Sequence, residues 1–375
     1  MSTSPAKEVG TTEPDLLYSE AEADLRAAVR DLLGDRADLQ ATLAGMEAGD
    51  PYDPALWQAL AAGMGAAGLL VPEKLGGQGA SHREAAVVLE ELGRAMAPAP
   101  YLTSSVIATE TLLALAGQAG PEGAATAELL AETAAGRTVT VLALPLSASP
   151  GAEPPTGPAV TAVADARLAD VLLVYRPDGL YAVRRADAQL TPQLALDLTR
   201  PLATVAIAGG TSGTRLAGTG TARAAVQRGL LTGAGLLASE QLGIAEWCLE
   251  ETVRYTRERH QFNRPVGSFQ ALKHRMARLW LEVVNARAAA RNAADALATG
   301  SDDVALAVSV AQAFCSRAAV HAAEECVQLH AGIGMTWEHP AHLYLKRAKS
   351  DELALGTPGR HKELLAALAD LPAPR

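Results

Sequence analysis

From about residue 219 to 373 the chain carries a helical periodicity too long for a lone surface helix to satisfy. In the segment beginning near Ser268, the residues Phe269, Leu272, Met276, Leu279, Val283 and Ala286 recur at alternating steps of three and four. That spacing puts all six on one helix face. The next segment repeats the pattern with Val308, Ala311, Cys315, Ala318, Ala322 and Leu329. Its small side chains allow close approach of neighbouring helices. Both stripes need partners, so a four-helix bundle is expected over 218–375, with assembly through helix faces open to it.

The remainder divides in two. Residues 1–16 are expected to be a disordered tail and 17–136 a helical domain, on the strength of "SEAEADLRAAVRDLLGD", "DPALWQALAAGMGAAGL", "SHREAAVVLEELGRAMA" and two Ala/Leu-rich stretches. Within it "GLLVPEKLGGQGAS" breaks the periodicity, then offers Ser81 as an N-cap with Glu84 three residues on. From 137 to 217 short Val/Leu-rich runs separated by Pro, Gly and Asp predict a small β domain, with 147–159 an exposed loop. The expected fold is mainly α with a small β domain.

With 375 residues, 49% of them hydrophobic, the chain can bury a large core. Its net charge of −10 argues against a general nucleic-acid or anionic-membrane surface. The polar start, with no apolar signal core, and the lack of a run judged long enough to span a bilayer lead to the expectation of a cytoplasmic protein without membrane insertion. Cys248, Cys315 and Cys326 are widely spaced in apolar patterns and read as buried thiols. His339 and His342 suggest metal ligands, but the order is not HExxH, Pro340 intervenes and no third ligand is evident, so no metal is expected. "AGGTSGTRLAGTG" lacks both the P-loop Lys and GxGxxG spacing and reads as strand ends and turns.

Three stretches carry a resemblance: "GLLVPEKLGGQGAS", "RERHQFNRPVGSFQALKHRMA" and "VQLHAGIGMTWEHPAHLYLKRAK". In this order, with helical, β and helical domains around them, they resemble the acyl-CoA dehydrogenase family over nearly the whole chain. The resemblance implies FAD as cofactor, an acyl-CoA thioester as substrate, an electron-transfer protein as acceptor and a hetero- or homotetramer. In the second stretch Arg259 offers a fork of donors for a pyrophosphate, Gln261 and Gln270 suit ribose or adenine edges, and Phe262 and Phe269 give apolar faces. In the third, Gln328 and Gly332 match positions that reach the flavin nucleotide held mainly by a neighbouring subunit. The plainer alternatives are a helical hairpin with Arg259 solvated and both Phe in the core, and Gly332 as a helix C-cap.

The sequence departs from the family where the base should stand. Family members remove an α proton with a carboxylate while a β hydride moves to the flavin. One usual base position, just before a Gly-Thr pair, is Leu355 here; the other, 26 residues before Arg259, is Gly233. Glu240 and Glu352 are the displaced candidates, each equally readable as an ordinary solvated or paired Glu. The flavin-facing segments resembling "TEP..GSD" and "K.WITN" are also missing from 144–157 and 162–175. This combination is similar to the partner subunit, lacking the catalytic glutamate, of actinobacterial heterotetrameric acyl-CoA dehydrogenases that act on steroid side chains. Three readings follow: a subunit completed by a second family member, a self-sufficient flavoenzyme with a displaced base, or a non-catalytic assembly or binding subunit.

Overall fold

The computed structural model describes residues 14–207 and 213–371. Most of the expected tail lies outside these residues, as do 208–212 of the Gly-rich stretch. The helical first part comprises α1 (Glu20–Arg36), α2 (Leu39–Ala48), α3 (Pro54–Gln58), α4 (His82–Ala95), α5 (Thr109–Leu113) and α6 (Gly120–Ala134). Ser81 and Glu84 form the expected capping box on α4, and Ser19 with Glu22 forms a second on α1. The stretch before α5, Tyr101–Ala108, is wound as a wide π-helix, which periodicity alone did not predict.

Two sheets follow, built from β1 (Thr140–Leu142), β2 (Ala159–Ala164), β3 (Val171–Arg176), β4 (Gly179–Arg184), β5 (Ala188–Gln193), β6 (Leu202–Ile207) and β7 (Thr214–Gly218). One has the order β1-β3-β4-β7, the other β2-β6-β5, and only the β1–β3 pair is parallel. Strand β3 is the buried centre, with Leu172 and Leu173 fully enclosed. β2 and β5 have weaker apolar alternation and lie outside the Val/Leu-rich runs, while β7 falls in the Gly-rich stretch read as strand ends and turns.

The last part is helical: α7 (Thr219–Glu258), α8 (Gln270–Thr299), α9 (Val304–Leu329), α10 (Ala341–Leu353) and α11 (Pro358–Leu368). Leu279, Val283 and Ala286 on α8, and Val308, Ala311, Cys315, Ala318 and Ala322 on α9, are buried as their spacing predicts. Helix α8 starts at Gln270 rather than near Ser268, because a short hairpin, β8 (His260–Gln261) with β9 (Arg264–Pro265), and a 3₁₀ turn occupy the interval. Helix α9 is long and apolar enough to cross a bilayer, contrary to expectation, but 61% of its apolar window is buried inside the protein. All three cysteines are free, buried thiols.

Helix α7, 40 residues long, crosses α4 almost backbone to backbone. A Cβ on Gly93 would lie 2.2 Å from the Glu240 carbonyl oxygen, and one on Gly243 would lie 1.9 Å from that of Glu90. Only glycine fits either position. This crossing fixes the part of α7 that carries Gly233 and Glu240.

Candidate functional site

The two family base positions converge in space, and neither carries a carboxylate. Leu355 follows α10 in left-handed backbone (φ 53°), with its side chain buried. Its N–H donates to the Leu146 carbonyl (2.8 Å), and its own carbonyl accepts from His361 Nε2 (3.0 Å). A Cβ added to Gly233, on α7, would sit 3.3 Å from Leu355 Cδ1 and 2.6 Å from Ile107 Cγ1. Ile107, from the wide helix, therefore fills the point toward which both positions are directed.

The loop expected to be exposed at 147–159 is folded partly onto this turn: Ser149 is buried, and its Cβ would be 2.9 Å from a Cβ on Gly356. Gln227 on α7 clamps the loop, accepting from Gly151 N–H and donating to the Ala152 carbonyl, both at 2.6 Å. Protein thus packs over the turn where the family's flavin-facing segments are missing.

Glu240 is buried in an ionic network that joins three parts of the chain. Arg200, in the link between β5 and β6, donates to both its oxygens at 2.7 Å, and Arg347 of α10 donates to one at 2.6 Å. Arg200 also bonds Asp351 (2.7 Å), and Arg347 bonds Asp197 and Thr199. Burial works to raise the Glu240 carboxyl, but the two guanidiniums outweigh it and hold Glu240 below the usual range. Burial, helped by Glu240, pushes Asp351 up to about 8 despite Arg200 and Arg347. Glu240 is a structural anion with both oxygens engaged. Glu352 is partly exposed, with Lys349 Nζ at 3.8 Å.

The dinucleotide candidates gather at one end of the bundle. Arg259 caps α7, its N–H donating to the Tyr255 carbonyl, while its side chain is exposed and in no ion pair among the described residues. Phe262 and Asn263 form the hairpin tip, both left-handed (φ 53° and 62°), the geometry of a two-residue type I′ turn. Phe262 is 87% exposed and meets Phe269 edge-on at 6.1 Å, so it is not the core residue of the plainer reading. Phe269 is half-buried beneath the Arg264 guanidinium (3.9 Å), and Gln261 and Gln270 are exposed.

Gln328 and Gly332 are exposed at the far end of α9, whose His330 stacks on Tyr255 of α7 at 4.4 Å. The left-handed residue there is Ala331 (φ 54°), not Gly332, and a Cβ on Gly332 would meet nothing within 4 Å. Neither cap geometry nor internal packing asks for that glycine. These solvent-facing groups of suitable chemistry fit the nucleotide part of FAD, whereas the closed turn at Leu355 does not fit its ring.

The structure supplies the third group that the sequence reading of His339 lacked. Glu251 Oε1 lies 3.2 Å from His339 Nε2 and 3.7 Å from His330 Nε2, while His342 stands apart against Trp337. This trio was not legible because its members lie 79 and 88 residues apart from Glu251 in sequence (330 − 251 and 339 − 251). The Glu240 network left a faint signal, a charge inside the apolar run "GLLASEQLGIAEWCL"; Ile107 left none.

Comparison with known proteins agrees with this architecture. Residues 19–121 match the acyl-CoA dehydrogenase N-terminal domain and residues 220–369 the C-terminal domain. The chain belongs to the acyl-CoA dehydrogenase family, whose members are FAD-binding oxidoreductases acting on acyl-CoA. It is 37% identical over 351 residues to the acyl-CoA dehydrogenase IpdE2 of Mycolicibacterium smegmatis, covering 93% of this chain and 99% of that one. IpdE2 of Mycobacterium tuberculosis is likewise 37% identical, over 89% of this chain and 92% of that one. Among solved structures, the ChsE4–ChsE5 complex of Mycobacterium tuberculosis superposes with a TM-score of 0.82 at 27% identity, covering 96% of this chain and 100% of that one. The Tcur3481–Tcur3483 steroid acyl-CoA dehydrogenase variant gives 0.79 at 27% identity, over 94% and 98%.

Proposed function

We propose that this chain is one subunit of a heteromeric acyl-CoA dehydrogenase that desaturates a steroid-derived acyl-CoA thioester, with the base supplied by a second family member. The observation that carries this reading is the contact of Gly233, Leu355 and Ile107 at the point where a carboxylate should stand. Two structures that the chain resembles are of paired proteins, and one of these is a steroid acyl-CoA dehydrogenase, which supports both the partner and the substrate class.

When bound, FAD supplies the hydride acceptor, and an electron-transfer protein is its outlet. This chain's part is to bind and orient. Arg259 pairs with the pyrophosphate of a dinucleotide seated mainly in the partner; Gln261 and Gln270 hydrogen-bond its ribose or adenine; Phe262 and Phe269 cover an apolar face. Gln328 and Gly332 meet the nucleotide from α9, where the missing side chain permits close approach. Ile107, Leu355 and the clamped loop keep water and acyl chains out of this chain's own interior.

The test is to co-purify the chain with a second family member that carries Glu at either base position and to assay acyl-CoA desaturation. The reading expects that Glu→Gln in the partner lowers the rate by about 10² to 10⁴, the usual worth of a proton-transfer base. Glu352→Gln in this chain should leave it unchanged. A loss of that size from Glu352→Gln would instead make this chain self-sufficient.

A further inference from the structure

The Glu251, His330 and His339 trio lies beneath the turn between α9 and α10 that carries Gly332, and the ring hydrogens settle what it can do. His339 Nδ1 accepts from the Ala341 N–H at 3.2 Å, so in the neutral ring the proton is on Nε2, which donates to Glu251 Oε1. His330 is the reverse. Its Nδ1–H donates to the Cys326 carbonyl at 2.6 Å, leaving the Nε2 lone pair free, 3.7 Å from Glu251 Oε1. His330 is fully buried, and Nε2 has no hydrogen-bond partner among the described residues. A neutral His330 therefore sets acceptor against acceptor; a protonated one forms an ion pair with the same carboxylate at 3.7 Å.

The three ligand atoms lie within 4.8 Å of one another, a spacing that also suits a metal. However, His339 turns an N–H rather than a lone pair toward the centre, which favours hydrogen bonding over coordination.

We propose that Glu251 and His330 form a proton-dependent latch that fastens the turn carrying Gly332, and the neighbouring Gln328, to α7, making Glu251 a positioning residue for the partner-held dinucleotide. This rests on the half-site reading above. The groups facing His330 are Glu251 and Tyr255 of α7, Cys326 of its own helix, whose thiol meets Cys248 of α7, and the His339 ring at 4.1 Å; Arg254 shares Glu251 from the solvent side at 2.5 Å. Burial opposes charge on His330, but Cys326 and Glu251 outweigh it and raise its pKa above 6.5. With that sign the latch is closed below the ordinary histidine value and opens as pH rises through the folded one.

The experiment measures FAD release from the assembled complex, and thermal unfolding of the lone chain, against pH for the unaltered protein and Glu251→Gln. Release from the unaltered complex should quicken roughly three- to tenfold as pH rises through the histidine range. Glu251→Gln should release FAD fast at every pH and flatten both profiles, converging with the unaltered chain at high pH where the latch is already open. A variant whose unfolding profile runs parallel to the original shows that no latch exists. A flattened unfolding profile with an unaltered FAD-release profile confines the latch to stability and overturns the half-site reading instead. Stabilisation by added zinc that Glu251→Gln abolishes would make the trio a metal site and overturn the latch.

Discussion

Arg259 is the residue whose chemistry is most exposed to test. It is solvent-facing at the end of α7 and in no ion pair among the described residues, so changing it to Lys costs little in helix propensity. An ammonium cannot reproduce the planar fork that grips a pyrophosphate. Charge-assisted hydrogen bonds contribute about 1.5 to 3 kcal/mol each, and about 1.4 kcal/mol is a factor of ten. Arg259→Lys should therefore weaken FAD retention by the complex roughly tenfold or more while leaving the apo melting temperature alone. Unchanged FAD affinity returns Arg259 to a solvated helix end. At this scale the sequence was legible at Leu355 and Gly233, where residue type alone shows that no carboxylate stands. It was silent on Ile107, because nothing in an isoleucine says that it fills a neighbour's empty place.

At the scale of elements, the long stripes on α8 and α9 and the capping box on α4 were written in the sequence because helix period and cap chemistry are local. The wide helix at Tyr101–Ala108, the hairpin β8–β9 and the exposed strand β5 were not, because tertiary packing sets them. The α4–α7 crossing gives one prediction. Gly93→Ala forces a methyl onto the Glu240 carbonyl oxygen, and overpacking of this kind costs about 1 to 3 kcal/mol, read as a lower melting temperature.

The ionic network gives another. Asp351 holds its proton when folded, so its contribution is present below the ordinary aspartate value of 3.8 and is lost as pH rises through about 8. Glu240 and Asp197, held low, act oppositely and lose theirs as pH falls through their lowered values. The melting temperature should thus decline from about pH 4 to about pH 8, and Asp351→Asn, whose amide mimics the neutral acid, should flatten that limb. An unchanged slope in the variant assigns the decline to other groups.

At the scale of the whole molecule, the helical domain, β domain and bundle followed from shifts in periodicity, whereas assembly is read from what remains uncovered. Val310 and Phe314 of α9 are 42% and 37% exposed, and with Leu365 and the Arg317 and Lys362 side chains they line a groove of about 560 Å³. Contiguous exposed apolar surface of this kind marks a contact face. Phe314→Asp should abolish the complex with the second subunit in size-exclusion chromatography while leaving the isolated chain folded; an intact complex places the interface elsewhere.

On the function proposed, this chain holds half of a flavin site and needs another polypeptide for the rest. The flavin absorbance spectrum, recorded on the chain purified alone and again with its partner, tests it most directly. The lone chain should hold little FAD and desaturate no acyl-CoA, and the complex should be a yellow protein that bleaches on adding the acyl-CoA. A yellow lone chain that bleaches with an acyl-CoA would contradict it.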